Sequence, residues 1–357
     1  MKEFLILCCL ALSFFSCASK HFTMDDFTKI EKIDAHVHVN ASDPLFVDLA
    51  KANHFKLLSI NVDYGDFPPI ETQFNVAVED LQKYPETFAF AATFPMTGWD
   101  EADWQAKTIR RLDDAFAKGA VAVKVWKNIG MDFHDKNGAN IMIDHPKFDA
   151  IFAHIRQKNK VLIGHQGEPK NCWLPIEQMT VNNDKEYFRE HPQYHMYLHP
   201  ELPSYEDQMA ARDRMLQKNK GLHFMGAHLA SLEWSVDELA KFLDRFPNAV
   251  VDMAARMGQV QYQSARDREK VRRFFIKYQV RILYATDLTQ QPDADPAEFK
   301  AEALQKWRAD WKYLNTAQTI KVPELDAPFQ GLALPKNVVE KIYRLNAERT
   351  FPNAWKK

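Results

Sequence analysis

The stretch IDAHVHV at residues 33–39 decides how the rest of the chain reads. It is a short apolar, β-branched run interrupted only by Asp34, His36 and His38, which is the pattern of a buried strand. His36 and His38 stand two residues apart, and side chains two apart on a strand share one face. Two neutral imidazoles on one face can hold a single divalent ion. The pair would equally suit two buried histidines satisfied by neighbours, so its meaning depends on what the rest of the chain supplies.

Working outward, seven similar runs follow, at residues 55–64, 87–96, 120–126, 160–166, 222–229, 248–256 and 281–288. Stretches with helical periodicity lie between them, clearest at 71–84, 99–118, 146–159, 205–220, 236–246 and 266–278. Asp100 and Ser235 are placed to cap two of these helices, and Gly119 to follow the end of one. Alternating strand and helix implies right-handed parallel crossovers. Eight such units in ~320 residues predict an α/β fold, a single (β/α)8 TIM barrel. An open doubly wound sheet competes, but no glycine-rich phosphate turn follows the first strand. The fifth and sixth runs start 62 residues apart, against 22 to 40 elsewhere. The excess is a stretch at 167–204, rich in Trp, Tyr and His and read as non-helical. A loop of that length after the fifth strand is expected to be functional, on the catalytic face.

The other chemistry-bearing residues fall at the same ends of the strands. Lys124 ends the fourth, His165 the fifth, His228 the sixth, Arg256 the seventh and Asp287 the eighth. In a barrel those ends form the active-site mouth. Buried polar residues satisfied by neighbours would not be expected at so many strand ends, so a joint metal site is the better reading.

These segments resemble the amidohydrolase superfamily, most of all its amidohydrolase-related branch, which includes lactonases and nonoxidative decarboxylases. The likeness is carried by IDAHVHV (33–39), AVKVW (122–126), IGHQGEP (163–169), GAHLAS (226–231) and YATDL (284–288). LALPKNVVEKIYRLNAERTFP (332–352) is similar to the branch's extra C-terminal helix. The resemblance spans about residues 32–352 and implies a metal held by His36, His38, His165 and Asp287. In two-metal members the strand-four lysine is carboxylated and bridges the ions, and the strand-six histidine binds the second. In one-metal members that histidine contacts substrate or water. Lys124 and His228 permit either state, and Lys124 also suits a plain hydrogen-bonding amine. One or two divalent ions are therefore expected, zinc or alternatively manganese.

The resemblance further implies a metal-dependent hydrolase acting on a lactone, ester or amide of a small polar substrate. Asp287 would move the proton of an activated water, and His228 would polarise the carbonyl or stabilise the oxyanion. Arg256 is suited to a substrate carboxylate, with an ion pair to Asp252 or a loop acid as its structural alternative. Glu168, Trp173 and Tyr197 complete the expected substrate-binding set. The alternatives are a nonoxidative decarboxylase of a small carboxylic acid and a catalytically inactive ligand-binding lipoprotein. Barrel deoxyribonucleases usually place an acid where Lys124 stands. Adenosine deaminase-like members carry a glutamate beside the strand-five histidine, and Glu168 lies three residues beyond His165.

Composition limits the partners. With 46 Lys+Arg against 48 Asp+Glu the net charge is −2, so no basic field exists to bind nucleic acid by counterion release. A 46% hydrophobic chain with 12% aromatics and only 11 Gly excludes a disordered or collagen-like protein. Residues 1–16 (MKEFLILCCLALSFFS) read as an export signal, since the uncharged run 4–15 falls short of the ~20 residues that span a bilayer. FFSCA (14–18) resembles a lipobox, with Phe14 where an aliphatic residue is usual. Cys17 would then accept lipid, residues 17–31 would form a short tether, and 32–357 the barrel. The expectation is an exported protein of a bacterial periplasm or cell envelope that touches the membrane only through that lipid. Processing leaves Cys172 as the one thiol, so no intramolecular disulfide can form.

Overall fold

All eight expected strands are present in the computed structural model, which describes residues 20–356. They are β1 (Lys32–Val39), β2 (Phe55–Ile60), β3 (Phe88–Ala92), β4 (Ala122–Val125), β5 (Val161–Gly164), β6 (His223–Gly226), β7 (Ala249–Asp252) and β8 (Ile282–Leu283). Each pairs in parallel with the next, and a two-residue β9 (Thr289–Gln290) pairs with β1 on its other side. The ring closes where the chain between β8 and β9 meets β1. Ala35 N–H donates to Tyr284 O at 3.0 Å, Asp287 N–H to His36 O at 2.9 Å, and His38 N–H to Leu288 O at 2.9 Å. Apart from β1, the strands are shorter than the apolar runs because the last residues of most runs leave the ladder and enter the mouth.

β1 carries a bulge. Asp34 pairs with Leu57 and Val37 with Ser59, so three steps on β1 match two on β2. Bulges re-aim side chains and are uncommon between parallel strands. Below it, Ile33 and Ala35 pack inside the barrel with Ala91, Ala122, Ile163 and Leu283. Above it, Val37 and Val39 join the apolar layer between strands and helices, and His36 and His38 face the mouth.

The outer layer follows from amphipathic helices. In Val236–Arg245 the buried residues are Val236, Leu239, Phe242 and Leu243, one face of a 3.6-residue period. Each such side chain contributes about 1.5–3 kcal/mol on burial. Ser235 caps this helix as expected, accepting from Glu238 N–H at 3.3 Å. The Asp100 expectation is corrected: the helix is Trp104–Ala117, and the N-cap position falls to Asp103. Gly119 does follow that helix, at φ +105°, where a Cβ would strike Leu81. The helix expected at 266–278 begins earlier, at Met257, and kinks at Asp267. There Asp267 Oδ1 accepts from Lys270 N–H at 2.9 Å, capping a fresh start.

The C-terminal segment is helical from Lys336 to Thr350, with a π turn at Lys341–Leu345. The carbonyl of Ile342 accepts from Tyr284 N–H at 2.9 Å, linking this turn to the chain just beyond β8. Ala347, Phe351 and Trp355 then pack on the inner residues from below. Trp355 Nε1 donates to Leu57 O at 3.0 Å.

Two sequence expectations change. The stretch 167–204 is not without helix: it contains Asn182–Glu190 and four short 3-10 turns, built on a separate apolar cluster of Cys172, Met179, Phe188 and Met196 with Met131. The tether is also shorter than read, because Phe22 and Phe27 are buried against Trp311. The export signal and Cys17 lie outside the described residues.

Candidate active site and metal centre

His36, His38, Lys124, His165, Glu168, His228, Arg256 and Asp287 all line one cavity of about 510 Å³ at the strand ends. That size lies in the ordinary range for small-molecule sites. The histidine rings on β1 are fixed from behind. His36 Nδ1 donates to Asp252 Oδ2 at 2.9 Å, and His38 Nδ1 to Ile60 O at 2.6 Å. Both Nε2 atoms therefore turn to Asp287 Oδ1, at 3.3 and 3.2 Å. Ligands ~2.1 Å from a zinc ion lie roughly 3–3.5 Å from one another, so this spacing suits atoms that share an ion. Ligand atoms of His36, His228 and Asp287 all fall within 4.8 Å of one another.

His165 tests the fit further. It is buried, its ring lies 4.1 Å from that of His228, and neither of its ring nitrogens has a hydrogen-bond partner. An unpaired buried imidazole is costly unless something else takes its lone pair. The donor set of imidazoles and a carboxylate suits zinc or manganese. The residues fit a metal.

His228 reaches the cavity by an unusual path. Met225 and Ala227 belong to the inner cluster, so alternation alone would turn His228 outward. Instead His228, Leu229, Ala230 and Ser231 all adopt φ of 56–57°, a single left-handed turn. For L-residues this costs roughly 1–2 kcal/mol each. Neighbours hold it in place. His228 N–H donates to Asp252 Oδ1 at 2.8 Å, Tyr205 Oη to Ser231 O at 2.5 Å, and Ser231 Oγ to Gln166 O at 2.8 Å. Arg212 bonds Ala230 O. His228 Nδ1 donates to Ala254 O at 2.9 Å, leaving Nε2 for the cavity.

The electrostatics suit ligation. Burial, then Lys124, holds His36 below the usual imidazole range, and burial holds His165 and His228 well below it, so the rings are neutral at pH 7. Burial alone would raise the Asp287 carboxyl, but His228, His38 and His36 outweigh it and keep it well below the usual range. Lys124 Nζ lies 3.4 Å from His36 Nε2, and burial lowers its amine to about 8.

Other predicted residues divide. Glu168 is buried in the cavity wall in an ion pair with Lys127, whose amine burial also lowers to about 8. Arg256 makes no ion pair with Asp252, which is committed to His36. Its Nη1 donates to Ala255 O at 3.1 Å and its buried Nε has no partner. Two expectations are corrected. Trp173 lines no part of the cavity and packs edge-on against Tyr205, 5.5 Å between ring centres. Tyr197 is 51% exposed and stacks over the buried His195, outside the cavity. Tyr187 does line the cavity, beside Tyr64, Phe67 and Trp126. Cys172 is buried away from it, and burial pushes its thiol up to about 12, so it is no nucleophile. Sequence reasoning missed Asp252 as the partner of His36 and Lys127 as a cavity cation. For the first, the run AVVDMAA (249–255) marks a buried acid but not its partner.

A family model described as Amidohydrolase matches residues 33–352. No curated protein matches the chain. Several solved structures resemble it in fold. One is a 2,6-dihydroxybenzoate decarboxylase from Rhizobium, 14% identical, with a TM-score of 0.52, covering 90% of this chain and 98% of its own. Another is a dihydroxybenzoic acid decarboxylase from a Polaromonas species with bound manganese and the inhibitor 2-nitroresorcinol, at 13%, 0.51, 90% and 97%. A third, an amidohydrolase II, gives 14%, 0.51, 90% and 100%.

Proposed function

The chain belongs to the amidohydrolase family, and from that premise we propose that it is a metal-dependent hydrolase of a lactone, ester or amide bond in a small polar substrate. The observation that carries this reading is the setting of Asp287. Its carboxylate is kept ionised among His36, His38 and His228, yet its side chain is 29% exposed at the cavity. When bound, one or two divalent ions, zinc or manganese, supply a Lewis acid that lowers the pKa of water to about 7. His36, His38, His165 and Asp287 would hold the first. Lys124, once carboxylated, and His228 are available for a second.

Asp287 accepts the proton of the attacking water and returns it to the leaving group. His228 Nε2 carries a lone pair because Nδ1–H is held by Ala254 O, and it orients the attacking water by accepting its hydrogen bond. Arg256 binds a substrate anion, and Glu168 with Lys127 forms a polar part of the cavity wall. The insertion at 167–204 acts as the specificity lid, since Pro169, Asn183, Asp184, Tyr187 and Phe188 all come from it to the cavity wall.

The cavity walls favour a second reading. Tyr64, Phe67 and Trp126 beside Arg256 and Lys127 would suit a planar carboxylic acid, the substrate of a nonoxidative decarboxylase. A panel of lactones, acyl-amino compounds and aromatic acids, run in ¹⁸O-labelled water, separates the two. Label in the product supports hydrolysis; carbon dioxide with unlabelled product replaces it by decarboxylation.

We also propose that the mature protein is exported and lipid-anchored at Cys17, with 32–357 as one barrel domain. The short apolar stretch before Ser16-Cys17 supports this. Mass spectrometry of the native N-terminus should find acyl chains on Cys17; an unmodified start at or after Ala18 would mean simple secretion.

A further inference from the structure

Asp252 ends β7 with no exposure to solvent, and its two oxygens have different tasks. Oδ1 accepts two backbone N–H groups, from His228 at 2.8 Å and Ala254 at 3.1 Å. Those two bonds orient the carboxylate from one side. Oδ2 is thereby aimed at His36 Nδ1, 2.9 Å away. A carboxylate accepts and cannot donate, so the proton of a neutral His36 must sit on Nδ1. The lone pair is then on Nε2, where Lys124 Nζ stands 3.4 Å away as a donor and Asp287 Oδ1 3.3 Å away.

We infer that Asp252 is a positioning residue that locks His36 in its Nδ1–H tautomer, so that Nε2 is ready to ligate before any ion arrives. This rests on the reading of His36 as a metal ligand. The geometry distinguishes the role from that of a general core anchor. A structural anchor would be satisfied by the two backbone N–H groups alone, yet the second oxygen meets the one ring nitrogen that the metal does not need. His38 is set in the same sense, but by the carbonyl of Ile60, which no side-chain substitution can change. Among the two β1 histidines, the His36 tautomer alone is open to a side-chain substitution.

Asp252→Asn makes the test. The amide is the same size, and its oxygen can continue to accept from His228 and Ala254. Its Nδ2–H then faces His36 Nδ1, which must become an acceptor and shift the proton to Nε2. Long-range ¹H–¹⁵N spectra of metal-free protein should show His36 as Nδ1–H in the parent and Nε2–H in the variant. Zinc affinity, measured by chelator competition with zinc alone, should fall ~10–100-fold, the usual scale for a ligand's outer hydrogen-bond partner. The circular dichroism spectrum should be unchanged. An unchanged tautomer, or zinc affinity within about twofold of the parent, would overturn the inference. If the variant fails to fold, the parent spectrum alone decides: His36 as Nε2–H there rules the role out. His36→Ala separates the two levels. If it leaves zinc binding intact the metal reading itself fails, whereas if only it weakens zinc binding and Asp252→Asn does not, the positioning role alone is lost.

Discussion

The upper and lower halves of the same eight strands follow opposite specifications. In the lower half the inward side chains are Ile33, Ala35, Ala91, Ala122, Ile163 and Leu283, sealed from below by Phe351 and Trp355. In the upper half they are imidazoles, a lysine and a carboxylate around open space, and non-glycine residues take left-handed backbone at His228–Ser231, Ala255 and Asp287. The lower half holds apolar area away from water; the upper half holds polar groups and strain that cost stability unless partnered. The contrast teaches that the barrel separates the two tasks along its axis, with rigidity below and reactive groups above.

The strongest attempt to break that separation is removal of both β1 imidazoles. His36→Ala with His38→Ala should abolish divalent-ion binding by elemental analysis while circular dichroism stays that of the parent, because neither side chain is part of the lower core. Loss of the fold along with the metal would show the halves to be interdependent. Next in size is Asp287→Asn, which keeps one ligand oxygen and removes the base. Once a substrate is in hand, kcat should fall by at least ~10² with metal partly retained; a change below about tenfold would remove Asp287 from the proton path.

Phe351→Ala probes the other half. A buried phenylalanine lost from a packed core costs about 3–5 kcal/mol, to be read from urea unfolding, while kcat of the remaining folded protein should hold. The smallest effect sharpens the view of the insertion: Tyr197→Ala should shift stability by less than ~0.5 kcal/mol and leave KM unaltered, whereas Tyr187→Ala, at the cavity wall, should raise KM. Equal effects of the two would mean that the surface of the insertion also handles substrate.

Legibility in the sequence follows the same division. The barrel could be read because parallel strands buried on both faces leave continuous apolar runs, and those recurred eight times. His36, His38, Lys124, His165, His228 and Asp287 could be read because strand ends in a barrel converge. The insertion could not. Its aromatic residues are divided among core, cavity and surface, so Trp173 and Tyr187 look alike in sequence, yet one packs on Tyr205 and the other lines the cavity. Nor could the role of Asp252, because nothing local says that an acid on the seventh strand meets a histidine on the first, 216 residues away. The left-handed turn at 228–231 was equally hidden, since it contains no glycine to announce it.

The bulge in β1 amounts to a phase slip in the sheet's inside–outside parity. Below it odd-numbered side chains face the axis; above it even-numbered ones do. Whether the imidazoles meet an ion thus depends on an irregularity that touches no ion. A chain shortened by deleting Ala35 would have regular alternation with His36 and His38 still inward. A chain of full length with the slip ironed out would present Val37 and Val39 to the mouth instead, and its every ligand would be present in the sequence while the mouth stayed blind to metal.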